Sequence, residues 1–215
     1  MQPVRIYNLK RDTNLPQSDS MKFRHSFNPL PPQVDLRQKL PPVYDQGQLG
    51  SCTAQAGAAA YSYLSQKPPN PSKIFLYYNS RLLYGGDYVS EDSGSSLTNC
   101  VNAMKQFGMC PEKLSPYDIS KLAIKPSQEC YDKAKQNLVT EVYQITQSLH
   151  ELKACLASNY PFIFGFTVYS SFESEVVSRT GDVPMPGKDE AILGGHALLC
   201  CGYDDSRSVF ICRNS

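Results

Sequence analysis

The sequence has little charge excess of either sign. Its 21 lysines and arginines stand against 20 aspartates and glutamates, a formal net charge of +1. That leaves no electrostatic footprint for nucleic acid or an anionic membrane, both of which call for clustered basic residues. There is no apolar run approaching the ~18 residues that span a bilayer. Residues 1–20 are polar and lack the apolar centre of a signal peptide. The Asn70-Pro71-Ser72 sequence carries the proline that blocks glycosylation. No internal repeat is present. Eight cysteines occur without a Cys-x-x-Cys pair, which favours an intracellular protein with mostly reduced thiols. Histidine is scarce: only His25, His150 and His196 can supply an imidazole.

What is present centres on Gln46-Gly47-Gln48-Leu49-Gly50-Ser51-Cys52, followed by Thr53-Ala54-Gln55-Ala56-Gly57-Ala58-Ala59-Ala60. Gly47 and Gly50 permit a tight loop, and the alanine-rich sequence after Cys52 is a strong helix former that meets no proline before Pro68. The spacing predicts a helix from Cys52 to about Ser65. A thiol on the first turn faces unpaired N–H groups and the positive end of the helix dipole, which favour thiolate. A buried structural cysteine is the competing reading, and a base elsewhere decides between them. His196 sits between a glycine pair and a hydrophobic run, where it reads as the opening residue of a strand. A second strand, 209–214, returns after a polar turn at 204–207 and brings Asn214 beside it. An amide oxygen there would fix the ring's tautomer and orientation.

The ordered set Gln-Gly-x-x-Gly-Ser-Cys, Gly-His-Ala before a strand, Gly-Tyr and then Arg-Asn-Ser resembles the papain-like cysteine peptidases. His196 falls within the window of about 130–150 residues after the cysteine, and Asn214 lies slightly beyond it. The resemblance runs in order from Val34 to Ser215. It implies an α+β, two-lobed fold. The helical lobe (34–138) has its central helix starting at Cys52, and a β-barrel-like lobe (139–215) carries His196 and Asn214. It also implies that Cys52 is the nucleophile, His196 the general base and acid, Asn214 the orienting residue, and Gln46 the oxyanion partner of the Cys52 N–H. Gly94, with Ser95 beside it, would contact extended substrate backbone, while Gly195 and Ala197 would border an open apolar pocket. The implied substrate is a peptide or protein, and the chemistry calls for no cofactor. An acyltransferase or deamidase acting on protein side chains, or an inactive binding module, are the alternative readings. Thr53 and Gln55 stand where the family usually has Trp and Phe, and family members continue past Asn214-Ser215 with Trp-Gly and further strands.

Residues 1–33 form a separate leader closed by prolines. Its polarity fits a solvated arm, and the family's inhibitory segments suggest a short propeptide lying over the cleft. In the body, helices are expected at 74–84 with Ser72 as cap, at 97–107 with Ser95 or Ser96 as cap, within the charged stretch ending near 135, and at 149–156 with Ser148 as cap. Tyr61 and Leu64 are expected on the buried face of the first helix. Strands are expected at 138–143 and 161–169. His150 reads as a surface residue. A zinc site of His196, Cys200, Cys201 and Cys212 is disfavoured, because strand residues four apart are separated by ~13 Å. The pairing of Cys100, Cys110, Cys130 and Cys155 is left open.

Overall fold

A computed structural model describes residues 5–12, 21–23, 29–65 and 70–215. His25 and the prolines at 68 and 69 lie outside the described residues. In chain order the elements are β1 (Met21–Lys22), β2 (Gln33–Asp35), α1 (Cys52–Ser65), α2 (Lys73–Leu82), α3 (Leu97–Gln106), α4 (Gln128–Ala134), β3 (Tyr143–Gln144), α5 (Leu149–Ala157), β4 (Phe162–Tyr169), α6 (Glu175–Thr180), β5 (Ile192–Asp204) and β6 (Val209–Arg213).

Helix α1 begins at the residue the alanine pattern predicts, and Cys52 through Ala59 are all buried. Small side chains dominate there, Gln55 being the largest enclosed, because α1 packs against α2, α3 and β5. At Gly57 an added Cβ would lie 2.8 Å from the Cys100 sulfur and 3.3 Å from Leu76. The buried face is set by these contacts at the N-terminal end. Leu64, expected inside, is therefore 52% exposed, while Tyr63 is buried. Ser72 caps α2 by accepting the Phe75 N–H at 3.1 Å. Ser96, rather than Ser95, caps α3 by accepting from the Asn99 N–H. Ser148 does the same for α5.

One sheet holds the C-terminal half. Along its length β5 pairs antiparallel with β4 and β2, and it also pairs antiparallel with β6. His196 is thus well inside a thirteen-residue strand rather than at its opening. The strand begins earlier because Ile192, Gly194 and Gly195 already pair with β4. The strand expected at 138–143 does not form as such. Val139 instead donates its N–H to the Met104 carbonyl and packs on the helical core. Strand pairing in this stretch is confined to Tyr143–Gln144, parallel to β1. The six-residue α6, capped by Ser174, had no counterpart in the sequence reading. The molecule has a helical core around Leu49, Leu76, Tyr77, Met104 and Met109, and a sheet core around Leu36, Tyr63, Leu156, Cys200 and Tyr203. Cys52 begins the helix that lies between them.

Candidate active site

Two tight contacts build the cysteine wall. Gly47 takes φ +58°, and its N–H is held by the Asp45 carboxylate at 2.8 Å. The chain then turns so that the Leu49 N–H reaches the Gln46 carbonyl. Three residues further on α1 starts, and Gln55 N–H to Ser51 carbonyl is an early rung of its ladder. The backbone N–H groups of Ala197, Thr53 and Cys52 itself lie near the Cys52 sulfur and act to favour its thiolate form. The Ala197 contact joins the nucleophile wall directly to the strand carrying His196.

On that strand, His196 is buried and its Nε2 lies 2.8 Å from Asn214 Oδ1. An amide oxygen only accepts, so the neutral ring carries its proton on Nε2 and leaves Nδ1 with a free lone pair. Nδ1 is itself buried and has no hydrogen-bond partner among the described residues. A buried ring nitrogen without a partner carries an uncompensated desolvation cost. Such a cost is tolerated where the group has chemistry to do. Phe166 and Phe172 meet the imidazole edge-on, at centroid distances of 6.0 and 6.2 Å, and keep water from the ring.

Gln46 is fully buried. Its Nε2 donates one hydrogen to the Leu49 carbonyl at 3.0 Å, and its Oε1 accepts from the Ser215 hydroxyl at 2.9 Å. The amide is therefore held with its nitrogen on the loop side and retains a second N–H. Tyr117 reinforces the same loop, donating its hydroxyl proton to the Gln46 carbonyl at 2.9 Å while pairing with the Ser51 hydroxyl at 2.7 Å.

The cleft between these walls is occupied by the chain's own residues 7–10. The Leu9 N–H donates to the Gly195 carbonyl at 3.0 Å, and the Lys10 N–H to the Ser95 carbonyl at 3.1 Å. Asn8 bridges to Gly195 and donates its side-chain amide to the Asp92 carbonyl. The Tyr7 ring stands edge-on to His196 at 5.2 Å. Side chains at Gly50, Gly94, Gly165, Gly194 or Gly195 would each run into residues 7–9. Glycine is required there by close approach, and at Gly94 also by its φ of +69°. Of the sequence-predicted residues, Gly94, Ser95 and Gly195 thus line the occupied channel. Ala197 is buried, with its N–H turned to Cys52 rather than lining an open pocket.

Burial decides the charge state in this occupied form. It pushes the Cys52 thiol up to about 11, against the three N–H donors that favour thiolate. It also holds His196 below the usual imidazole range, with Asn214 acting the other way and Arg5 adding to the depression. The lowered thiol expected from the helix dipole is therefore not what the covered cleft yields, because desolvation outweighs the donors. Thiol and imidazole are both neutral here.

Residues 30–215 match the family model of the papain family cysteine proteases. The chain belongs to the papain family. It is 37% identical over 195 residues to an uncharacterized peptidase C1-like protein of Acanthamoeba polyphaga mimivirus, covering 85% of this chain and 62% of that protein. The chain thus spans less than two thirds of that viral relative. It is also similar to xylellain, a cysteine protease from Xylella fastidiosa. There the TM-score is 0.84 and the identity 35%, over 98% of this chain and 85% of the other. Procathepsin B of Trypanosoma congolense shares the fold at a TM-score of 0.71 and 16% identity, covering 95% and 73% of the two chains.

For a papain-family chain, three contributors escaped the sequence reading. Asp92 accepts the Gly50 N–H through Oδ2 at 2.8 Å and the Tyr77 hydroxyl through Oδ1. Tyr77 in turn accepts the Gly94 N–H at 3.0 Å. One carboxylate therefore ties the nucleophile loop to the channel wall. Tyr117 is the second, through its hydroxyl contacts to the Gln46 carbonyl and the Ser51 hydroxyl. Phe172 lies in a stretch whose sequence gives no signal for a place beside His196.

Proposed function

We propose that the chain is a cysteine endopeptidase held inactive by residues 7–10, with Cys52 as nucleophile, His196 as base and acid, Asn214 as its orienting residue and Gln46 as an oxyanion donor. The observation that carries this reading is the His196 ring, with Nε2 fixed by Asn214 and Nδ1 buried without a partner among the described residues, on the strand whose next residue, Ala197, lies against Cys52. With the leader out and a peptide in, the thiol proton passes to Nδ1. The sulfur attacks the scissile carbonyl and forms a C–S bond. The oxyanion is met by the Cys52 N–H and the second N–H of Gln46 Nε2. The C–N bond then breaks as the imidazolium returns its proton to the departing amine. Water, deprotonated by His196, cleaves the thioester to give the acid and restore the thiol.

Autoinhibition follows from the leader occupying the same channel, with backbone hydrogen bonds to Ser95 and Gly195 and an aromatic ring against His196. Peptide hydrolysis by wild type, Cys52→Ala and a Tyr7→Ala leader variant tests the reading. Hydrolysis should be absent in Cys52→Ala and faster than wild type in Tyr7→Ala. Equal turnover by wild type and Cys52→Ala would end it.

A further inference from the structure

The side chain of Lys10 lies in a receptacle of its own at the edge of the channel. Its Nζ is 4.5 Å from the ring centroid of Tyr84 and 4.4 Å from that of Tyr88. The two rings are 5.4 Å apart and tilted by 40°, so they face one cation from two directions. Both distances fall inside the ~6 Å range over which an aromatic face attracts a cation. Burial against the rings disfavours the charged ammonium and is the larger effect on Lys10, and the Glu91 carboxylate acts against it by attraction.

The receptacle is held by the protein, not by the lysine. The Tyr84 hydroxyl accepts the Ser96 N–H at 2.9 Å. The loop carrying Tyr88 and Glu91 is pinned from beneath by Arg81, which is fully buried and donates to the carbonyls of Tyr88, Val89 and Glu91. The Tyr88 ring is 42% exposed even with Lys10 against it, so it is not core. Lys10 reaches the receptacle from the residue whose N–H bonds Ser95, next to Gly94. A peptide laid in the channel in place of the leader would pass the same point.

We propose that Tyr84, Tyr88 and Glu91 form a cation subsite of the cleft, which takes a lysine or arginine side chain of the substrate, and that Lys10 fills it while the leader is in place. The inference rests on the peptidase reading above. Leader and substrate then compete for one cation seat. Arginine fits it at least as well as lysine, because a guanidinium also stacks flat on an aromatic ring. Neutral side chains gain nothing from the rings, and acidic ones are repelled by Glu91.

Two measurements on the full-length chain test this. The first is the iodoacetamide alkylation rate of Cys52, read by mass spectrometry of its peptide, in wild type, Lys10→Gln, Tyr88→Leu, Glu91→Gln and Tyr7→Ala. The cage variants should alkylate about three- to tenfold faster than wild type, the range expected for losing one partly exposed cation–aromatic site. The second is hydrolysis of a positional peptide library with Lys, Arg, Gln or Glu at each position, in Lys10→Gln alone and combined with Tyr88→Leu. A several-fold preference for Lys and Arg over Gln should appear at one position and fall to near unity in the double variant. Wild-type alkylation rates in all three cage variants, with Tyr7→Ala accelerated, would overturn the proposal. So would a library profile indifferent to Lys and Arg at every position. Absence of hydrolysis in every variant would refute the peptidase reading and the substrate half with it, while the alkylation rates would still decide whether the cage holds Lys10.

Discussion

Replacing Asp92 by alanine withdraws one carboxylate from two donors at once. The Gly50 N–H loses an acceptor at 2.8 Å, and the Tyr77 hydroxyl, on a fully buried side chain, loses its Oδ1 partner. Hydrogen bonds to a charged group contribute about 1.5–3 kcal/mol each. Asp92→Ala should therefore destabilise the fold by ~3–5 kcal/mol, a large part of the ~5–15 kcal/mol that holds a typical domain together. Asp92→Asn keeps one acceptor oxygen and should lose about half as much. Asp45→Ala is the control. Its carboxylate accepts the Gly47 N–H at the same 2.8 Å, but in an exposed loop where water can replace it. Urea unfolding followed by circular dichroism gives the midpoints and slopes for all three. An Asp92→Ala midpoint as close to wild type as that of Asp45→Ala would refute the argument that this carboxylate holds the nucleophile loop to the channel wall.

Other perturbations have equally definite directions. Gly57→Ala should destabilise by about 1–3 kcal/mol despite alanine's better helix propensity, because the new Cβ meets Cys100 and Leu76; thermal denaturation reads this. Asn214→Ala removes the one hydrogen bond that raises the His196 pKa, so the acid limb of any peptidase profile should move to lower pH and turnover should fall about tenfold or more. His196 has a folded pKa below its unfolded value, so its contribution to the covered state is complete above about pH 6.5 and is lost as pH falls through the lower folded pKa. Acid should therefore loosen the leader, read as lower protection factors of the Leu9 and Lys10 amides, each taken against the intrinsic exchange rate at that pH.

Much of this was legible because local signals were strong. The glycine loop and alanine run fixed where α1 begins, and the expected turn brings β6 back beside β5, with Asn214 one residue past the end of β6 at Arg213 rather than within it as expected. Ser72 and Ser148 cap their helices as the pattern requires. Legibility ended where tertiary contacts decide. Asp92 stands in a polar loop like many others, and only folding brings it to Gly50 and Tyr77. Residues 138–142 alternate as a strand would, yet Val139 is drawn onto the helical core through Met104. Leu64 shares a helical face with buried residues but lies beyond the part of α1 that is enclosed. The helix-dipole argument for a low thiol pKa omitted the desolvation of a covered cleft. The leader's polarity alone left a loose arm and an inhibitory segment equally open, since its contacts are mainly backbone hydrogen bonds and approaches to glycine.

The central claim is that Cys52 and His196 form a reactive pair only when residues 7–10 leave the cleft. The pH dependence of Cys52 alkylation between pH 4 and 10 tests it most directly, in wild type, in the Tyr7→Ala, Lys10→Gln double variant, and in that variant with His196→Ala. Wild type should label slowly until the pH nears the raised thiol value of about 11. The leader variant should label rapidly from mildly acidic pH upward, and His196→Ala should abolish that gain. Identical profiles in wild type and leader variant, or a gain that survives loss of His196, would contradict the account.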